Sequence, residues 1–255
     1  MTTTLVDNAE FAYVLRLGDD ALVLGHRLSE WCGHGPLLEE DIALANIALD
    51  CIGQANALLT LAAELEGAAR SADDIAFHRD ERAYTNARIT ELPRGDFGFT
   101  MMRQFLYSAY AYVLFENLSS STNETLAGIA AKALKEVRYH LRHCGEGVIR
   151  LGDGTEESNQ RVQASLDELW RFTGELFEAD DVTEAVAETG FGVNMATHQA
   201  RWTEMVTQVL TTATLTIPEG VYMSSGGRSG LHTEHLGPML AEMQVLPRSY
   251  PNAQW

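Results

Sequence analysis

Apolar residues recur every three or four positions along most of the chain, which is the spacing of one buried face of an α-helix. The clearest stripe consists of Leu134, Val137, Leu141, Cys144, Val148 and Leu151. No segment shows the strict alternation of apolar and polar residues that a half-buried β-strand requires. The pattern therefore predicts an all-α protein.

Six long helices and one short tail helix follow from this spacing and from breaks rich in glycine, proline or serine. The long helices are predicted at about 8–33, 36–67, 97–121, 124–151, 156–177 and 194–215. Residues 68–97 are polar and predict a crossover with at most short helical turns. A glycine-rich connection then leads to the tail helix, for which Thr233 is the expected N-cap.

Four of the predicted helices have about 25–30 residues, so each is about 40 Å long at 1.5 Å per residue. Helices of that length predict a large bundle. We expect residues 1–255 to form a single helical domain, with the connection and tail helix at 218–255 docked against it.

The second helix is apolar nearly all round, which favours a buried position. Asn46, Asp50 and Gln54 form a polar row on it at four-residue steps. Buried polar groups need partners. The row therefore predicts either a binding site or a hydrogen-bonded network.

The fourth helix contains the stretch KEVRYHLRH, which suggests a metal site. A di-iron carboxylate bundle takes one Glu from each of two helices and a Glu-x-x-His pair from each of two others. In that frame Glu136 is followed by Tyr139 in the histidine position, and His140 lies about 100° further round the helix. Asp50 is likewise followed by Gly53. The spacing therefore argues against an intact di-iron site.

A structural network is the alternative interpretation of these residues. Its candidate members are Asn46, Asp50, Gln54, Glu136 and His140. Arg27 or Arg103 is a candidate partner for the carboxylates.

The tail carries His232, Glu234 and His235 within four positions. Two histidines at this spacing can share one helical turn, as in some zinc sites. The first histidine precedes the expected N-cap, however, and no third ligand is evident in the sequence. A tail helix tied to the body or to a partner is the favoured interpretation.

The chain is strongly acidic, with 18 Lys and Arg against 36 Asp and Glu and a formal charge of −18. Such a surface repels phosphate backbones and disfavours a nucleic-acid partner. Cys32, Cys51 and Cys144 are dispersed, which indicates reduced thiols. The N-terminus lacks the features of a secretory signal, and no apolar run is expected to cross a membrane. We expect a cytoplasmic protein.

Several long stretches resemble the C subunits of the bacterial phenylacetyl-CoA 1,2-epoxidase family. The most specific are RLSEWCGHGPLLEEDIALANIALDCIGQA and GLHTEHLGPMLAEMQ, and the likeness runs in order from about Tyr13 to Trp255. The resemblance implies the ferritin-like fold of a multicomponent monooxygenase of aerobic phenylacetate degradation. It also implies that this chain is a non-catalytic partner without a bound cofactor. A homologous catalytic A subunit would hold the di-iron site, and a reductase would supply electrons from NADPH.

The resemblance also implies roles for individual residues. Asp50, Gly53, Glu136 and Tyr139 become degenerate ligand positions. We expect contacts with the A subunit at the turn between the first two helices and in the tail. The candidates are His34, Pro36, Leu38, His232, Glu234, His235 and Met239.

Two alternatives stay open. The first is a di-metal carboxylate enzyme with atypical ligands. The second is an acyl-CoA binding module that uses Arg228 of the stretch SSGGRSG and other basic groups.

Overall fold

The computed structural model describes residues 8–251. Over this range the chain forms ten α-helices and short 3-10 turns, with no strand, so the all-α prediction is confirmed. The helices are α1 (Ala9–Ser29), α2 (Leu38–Glu66), α3 (Ala72–His78), α4 (Arg88–Glu91), α5 (Phe97–Leu118), α6 (Glu124–Gly152), α7 (Glu156–Trp170), α8 (Asp181–Glu188), α9 (Gln199–Thr212) and α10 (Leu236–Ser249).

Two helix pairs form the bundle. The loop 30–37 joins α1 to α2, and the loop 119–123 joins α5 to α6. Short connections keep consecutive helices antiparallel and side by side. The two pairs meet where α2 packs on α6, around a common aliphatic and aromatic core. The prediction of a long-helix bundle with additional C-terminal helices is confirmed.

Smaller helices cover the bundle. α7 and α9 pack against α5 and α6, and α8 packs against α1. α8 occupies a short acidic segment for which the apolar pattern predicts no helix. A capping box starts it, because the Asp180 side chain accepts the N–H of Thr183 while the Thr183 side chain accepts the N–H of Asp180.

The loop between the first two helices differs from its prediction. α1 ends at Ser29 and α2 begins at Leu38, so the connecting loop is longer than expected. The Asp41 carboxylate accepts the backbone N–H of Gly33 at 3.2 Å and that of Gly35 at 2.8 Å. These bonds close the loop in a form that a continuing helix cannot adopt.

Two other predicted helices are shorter in the structure, and the tail helix starts and ends later than predicted. α7 ends at Trp170, and α9 begins at Gln199 after a 3-10 turn that Asn194 caps. α10 begins at Leu236, so Thr233 is not its N-cap. The backbone N–H of Thr233 instead donates to the carboxylate of Glu91, in the crossover between α2 and α5.

The crossover between α2 and α5 contains only the short helices α3 and α4, as predicted. α4 packs on α1, and α3 packs on α10. The crossover therefore lies between the first long helix and the tail.

The prediction that α2 is buried all round is wrong. Leu38, Ile42 and Leu49 are 72%, 52% and 68% exposed, whereas Leu44 and Ile47 are fully buried. By length and composition α2 could also cross a membrane, contrary to the sequence-based expectation, but half of its most apolar stretch is buried inside the protein. α2 is a core helix with one apolar side left uncovered.

Candidate functional site

Two side-chain hydrogen bonds connect α2 to α6. Nε2 of His140 donates to Oδ2 of Asp50 at 2.9 Å, and Nε2 of Gln54 donates to Oε2 of Glu136 at 2.9 Å. The bonds lie one turn apart on each helix, as expected for an antiparallel pair. They fix the register of α2 on α6.

These pairs lie at the edge of the bundle. His140 and Gln54 are buried, but 34% of the Asp50 side chain and 20% of the Glu136 side chain are exposed. Asn46, the fifth expected member, is exposed because its position on α2 faces outward. The prediction that Asn46 belongs to a buried network is wrong.

The arginines expected to pair with these carboxylates lie elsewhere. Arg27 forms an ion pair with Glu30 at 2.6 Å, and Arg103 donates to the carbonyl oxygen of Pro93 at 3.1 Å. Burial lowers the pKa of Arg103 to about 10, which leaves it charged at neutral pH. Arg27 also donates to the carbonyl oxygen of Glu91 at 2.9 Å, so both side chains hold the segment before α5 and their predicted role is wrong.

The degenerate ligand positions do not form a metal site. Gly53 is exposed, and a Cβ placed on it would meet no atom within 4 Å. Tyr139 is 38% exposed and stacks on His143, with ring centroids 5.6 Å apart. Among residues 8–251, no three His, Cys, Asp or Glu side chains come together as a metal site requires. The residues present do not fit a di-iron centre, which needs two Glu-x-x-His pairs and two further Glu.

An uncovered apolar surface, which we call the α2 face, lies beside the two pairs. Its large side chains are Leu38, Ile42, Leu49 and Tyr139. The three aliphatic residues share one side of α2 at helical spacing, and Gly53 continues that side. An apolar patch with polar neighbours is typical of a protein interface.

Three of the expected partner contacts lie on the α2 face or next to it. His34, Pro36 and Leu38 are all exposed where the loop 30–37 enters α2. Nothing within the described part of the chain covers their side chains, so a contact with a partner protein stays a prediction.

The tail candidates divide into two groups. His232 has a fully buried side chain, and Met239 is 9% exposed in the core. Their prediction as partner contacts is wrong, because both pack inside the chain. The side chains of Glu234 and His235 are 84% and 36% exposed, and their contact with a partner stays a prediction.

His232 anchors the tail to the crossover. Its Nδ1 donates to Oε2 of Glu91 at 2.8 Å, and its Nε2 donates to the carbonyl oxygen of Tyr84 at 3.0 Å. Both ring nitrogens face acceptors, so the ring carries both protons and a positive charge. Burial alone lowers the pKa of His232, but the hydrogen bond and charge of Glu91 raise it above its usual value. Glu91 also accepts the backbone N–H of Thr233 and an amide N–H of Asn86.

Two adjacent carboxylates in the middle of α1 are fully buried. Asp19 is held by the guanidinium of Arg79 and by the hydroxyl of Thr85 at 3.0 Å. Asp20 accepts hydrogen bonds from both terminal nitrogens of Arg228, at 2.9 and 2.8 Å. Such bidentate pairs are the strongest hydrogen bonds available to carboxylates. We call the set Asp19, Asp20, Arg79, Glu91, Arg228 and His232 the crossover network.

The crossover network engages Arg228, the basic residue that the acyl-CoA hypothesis names. Arg228 is bound to Asp20 and also donates to the carbonyl oxygen of Thr85 at 2.9 Å. Its guanidinium therefore joins the tail to α1 and the crossover, and is not available to a phosphate.

The whole chain, residues 1–255, matches the model of the family described as Phenylacetic acid catabolic protein. The chain belongs to this family. The C subunit of the 1,2-phenylacetyl-CoA epoxidase of Escherichia coli (strain K12) is 50% identical over 244 residues, which cover 96% of this chain and 98% of that protein. The expected family and the ferritin-like helical class are thereby confirmed.

The crossover network is the feature of this family member that the sequence analysis missed. One signal was present, since Asp19 and Asp20 stand together within an otherwise apolar helix. Arg79 and Glu91, which pair with Asp19 and His232, gave no signal, because both lie among many charged residues of a polar connection.

Proposed function

We propose that this chain is a non-catalytic subunit of a phenylacetyl-CoA epoxidase and acts in phenylacetate degradation. It pairs with a homologous catalytic subunit, which holds the di-iron site and receives electrons from an NADPH-dependent reductase. The E. coli relative supports membership of such a complex. The observation that carries the pairing is the α2 face, an apolar surface that the described chain does not cover itself.

The α2 face is suited to a protein partner. Full burial of a large apolar side chain contributes about 1.5–3 kcal/mol, so Leu38, Ile42 and Leu49 together offer several kcal/mol to a partner that covers them. Asp50 and Glu136 place charge at the edge of the face, which suits the polar rim of an interface and opposes insertion into lipid.

The side chains that could otherwise bind a metal support a non-catalytic role. The imidazole of His140 is bound to Asp50, and the carboxylate of Glu136 is bound to the amide of Gln54. These contacts hold α2 against α6 as a rigid support. Rigid support matters to a catalytic partner because the geometry of a metal site must be held to within about 0.5 Å.

The pairing is tested by placing charge on the α2 face. We expect Leu38→Glu with Leu49→Glu to weaken binding to the purified catalytic subunit by at least about 100-fold, since two apolar contacts worth about 3 kcal/mol or more are lost. Fluorescence anisotropy measures the affinity, and circular dichroism checks the fold. Val245→Glu with Leu246→Glu is the matched control, because these residues of α10 are 54% and 52% exposed away from the face. Unchanged binding by the face variant would refute the pairing.

The non-catalytic role is tested by elemental analysis of the chain purified alone. We expect negligible iron and manganese. A content near two metals per chain, the di-metal expectation, would favour the alternative of an enzyme with atypical ligands.

A further inference from the structure

α6 is a basic helix in an acidic protein. The chain has a formal charge of −18, yet α6 carries five Lys or Arg against three Glu, and both lysines of the chain are among them. Lys135, Arg138 and Arg142 are exposed and share one side of α6 at steps of three and four. Within residues 8–251, the ion pairs of α6 involve other side chains, and none involves these three. In that range none of the three is therefore held by a carboxylate at ion-pair distance, and Arg142 lies over the Tyr139 ring at 5.8 Å.

An apolar groove lies beside this basic side, between α6 and α9, with α5 as its floor. It has a volume of about 500 Å³. Its apolar lining includes Phe105, Leu141, Ile149, Met205 and Val209. Arg138, Arg142 and Glu146 of α6 also line it. We call it the α6–α9 groove.

Gly145 keeps the groove open. A Cβ at this position would lie 3.5 Å from the Phe105 ring and 3.9 Å from Val209. These are ordinary contact distances, so a small side chain is accommodated and a larger one fills the space between the two helices.

We propose that the α6–α9 groove docks an acidic amphipathic helix of a protein other than the catalytic subunit. An apolar groove of this kind accepts the apolar face of a helix. Arg138 and Arg142 pair with carboxylates of that helix at one end of the groove. A nucleic acid is a poor occupant, because the rest of this acidic chain repels phosphate and Glu146 stands within the groove.

The floor of the groove and the α2 face open on different sides of α6, with Arg142 between them over the Tyr139 ring at 5.8 Å. Tyr139 belongs to the α2 face, whereas Gly145, six positions later, turns toward α9 about 120° away around α6. The proposal therefore adds a second partner to the complex and does not depend on which chain covers the α2 face.

The test uses the full chain and each purified subunit of the epoxidase complex, labelled in turn. We expect Arg138→Glu with Arg142→Glu to lower the affinity for one subunit other than the catalytic one by at least tenfold. Wild-type binding to that subunit should weaken with added salt, as a charge-assisted contact does. Arg161→Glu with Arg171→Glu is the control, because it makes the same change of charge at exposed positions on and next to α7.

A second variant tests the shape of the α6–α9 groove without a change in its charge. Gly145→Leu fills the groove without a change of charge and should cause the same loss of affinity, with thermal unfolding as the check on folding. Wild-type affinities of both variants for every subunit would overturn the docking. A loss confined to the catalytic subunit would overturn the second partner, since the groove would then belong to the pairing interface. The Leu38→Glu with Leu49→Glu result tests the proposed pairing separately, so a failure of the groove variants does not refute that pairing.

Discussion

At the scale of single residues, His232 keeps its proton inside the protein because each ring nitrogen faces an acceptor, on Glu91 or Tyr84. An unfolded histidine titrates near pH 6.5. Because the pKa of His232 is raised in the folded state, the pair contributes its full stability below about pH 6.5. That contribution is lost as the pH rises through the folded pKa.

We therefore expect His232→Gln to destabilise the protein most below about pH 6.5 and progressively less as the pH rises above it. Urea unfolding below and above that pH gives the free energy of unfolding of each variant. His78→Gln is the control, since the side chain of His78 is 43% exposed and its contact with Asp74 is a surface pair that contributes little to stability. A constant difference between wild type and His232→Gln at every pH would contradict the buried imidazolium.

Asp50 makes a second prediction at this scale. Asp50→Ala leaves the buried Nε2 of His140 without its acceptor, which should cost about 1–3 kcal/mol of stability. Asp50→Asn keeps an acceptor and should cost less. Neither change should alter the metal content of the purified chain. Loss of bound iron from Asp50→Ala would show that Asp50 is a ligand.

At the scale of elements, α2 and α6 each carry a glycine that faces open space. A Cβ at Gly53 or at Gly128 meets no atom within 4 Å. Gly53→Ala and Gly128→Ala should each stabilise the isolated chain by about 0.5–1 kcal/mol, because alanine favours the helix. Thermal unfolding measures this gain.

The same two positions form a matched pair for the α2 face. Gly53→Gln should weaken binding to the catalytic subunit more than Gly128→Gln, since Gly53 lies one turn from Leu49 whereas Gly128 lies three turns from Tyr139. Equal affinities of the two variants would indicate that this part of α2 is not covered in the complex.

The long helices could be predicted because their apolar spacing and their caps agree. α5 begins after the cap Asp96, and α6 begins after the cap Asn123, each at its predicted residue. Ends set by distant contacts could not be predicted in this way. The segment just before α10 is held by Glu91, which accepts the N–H of Thr233 from 142 residues away.

The candidate site could be predicted only in part, for a related reason. Spacing placed Asp50 and Glu136 on neighbouring helices, where the structure pairs them with His140 and Gln54. Spacing does not reveal which side of an apolar helix meets the core. The exposure of Asn46 therefore emerged only from the packing of α2.

At the scale of the whole molecule, the tail and the crossover are joined by hydrogen bonds. Gln244 donates to the carbonyl oxygen of Arg79 at 3.0 Å, and Arg88 donates to that of Leu231 at 2.7 Å. The tail also places Leu236 in the core. The tail is thus an internal element of the fold as well as a surface.

We therefore expect one cooperative unfolding transition for the full chain, and expect it to be lost on deletion of residues 231–255. Differential scanning calorimetry measures both. Glu234→Ala is the control, since this side chain is 84% exposed and should change stability by no more than about 0.5 kcal/mol. A truncated chain with the wild-type transition would show that the tail is dispensable for folding.

The long separations in the crossover network also bear on how the protein is made. Asp20 lies in the first long helix, but Arg228 follows 208 residues later. At roughly 5–20 residues per second, a ribosome needs about 10–40 s to add the segment between them. During translation the acidic centre of α1 stays hydrated, since a buried carboxylate without its cation is strongly unfavourable. The fold is thus completed after the tail leaves the ribosome, and chains that terminate early retain an open, protease-accessible centre.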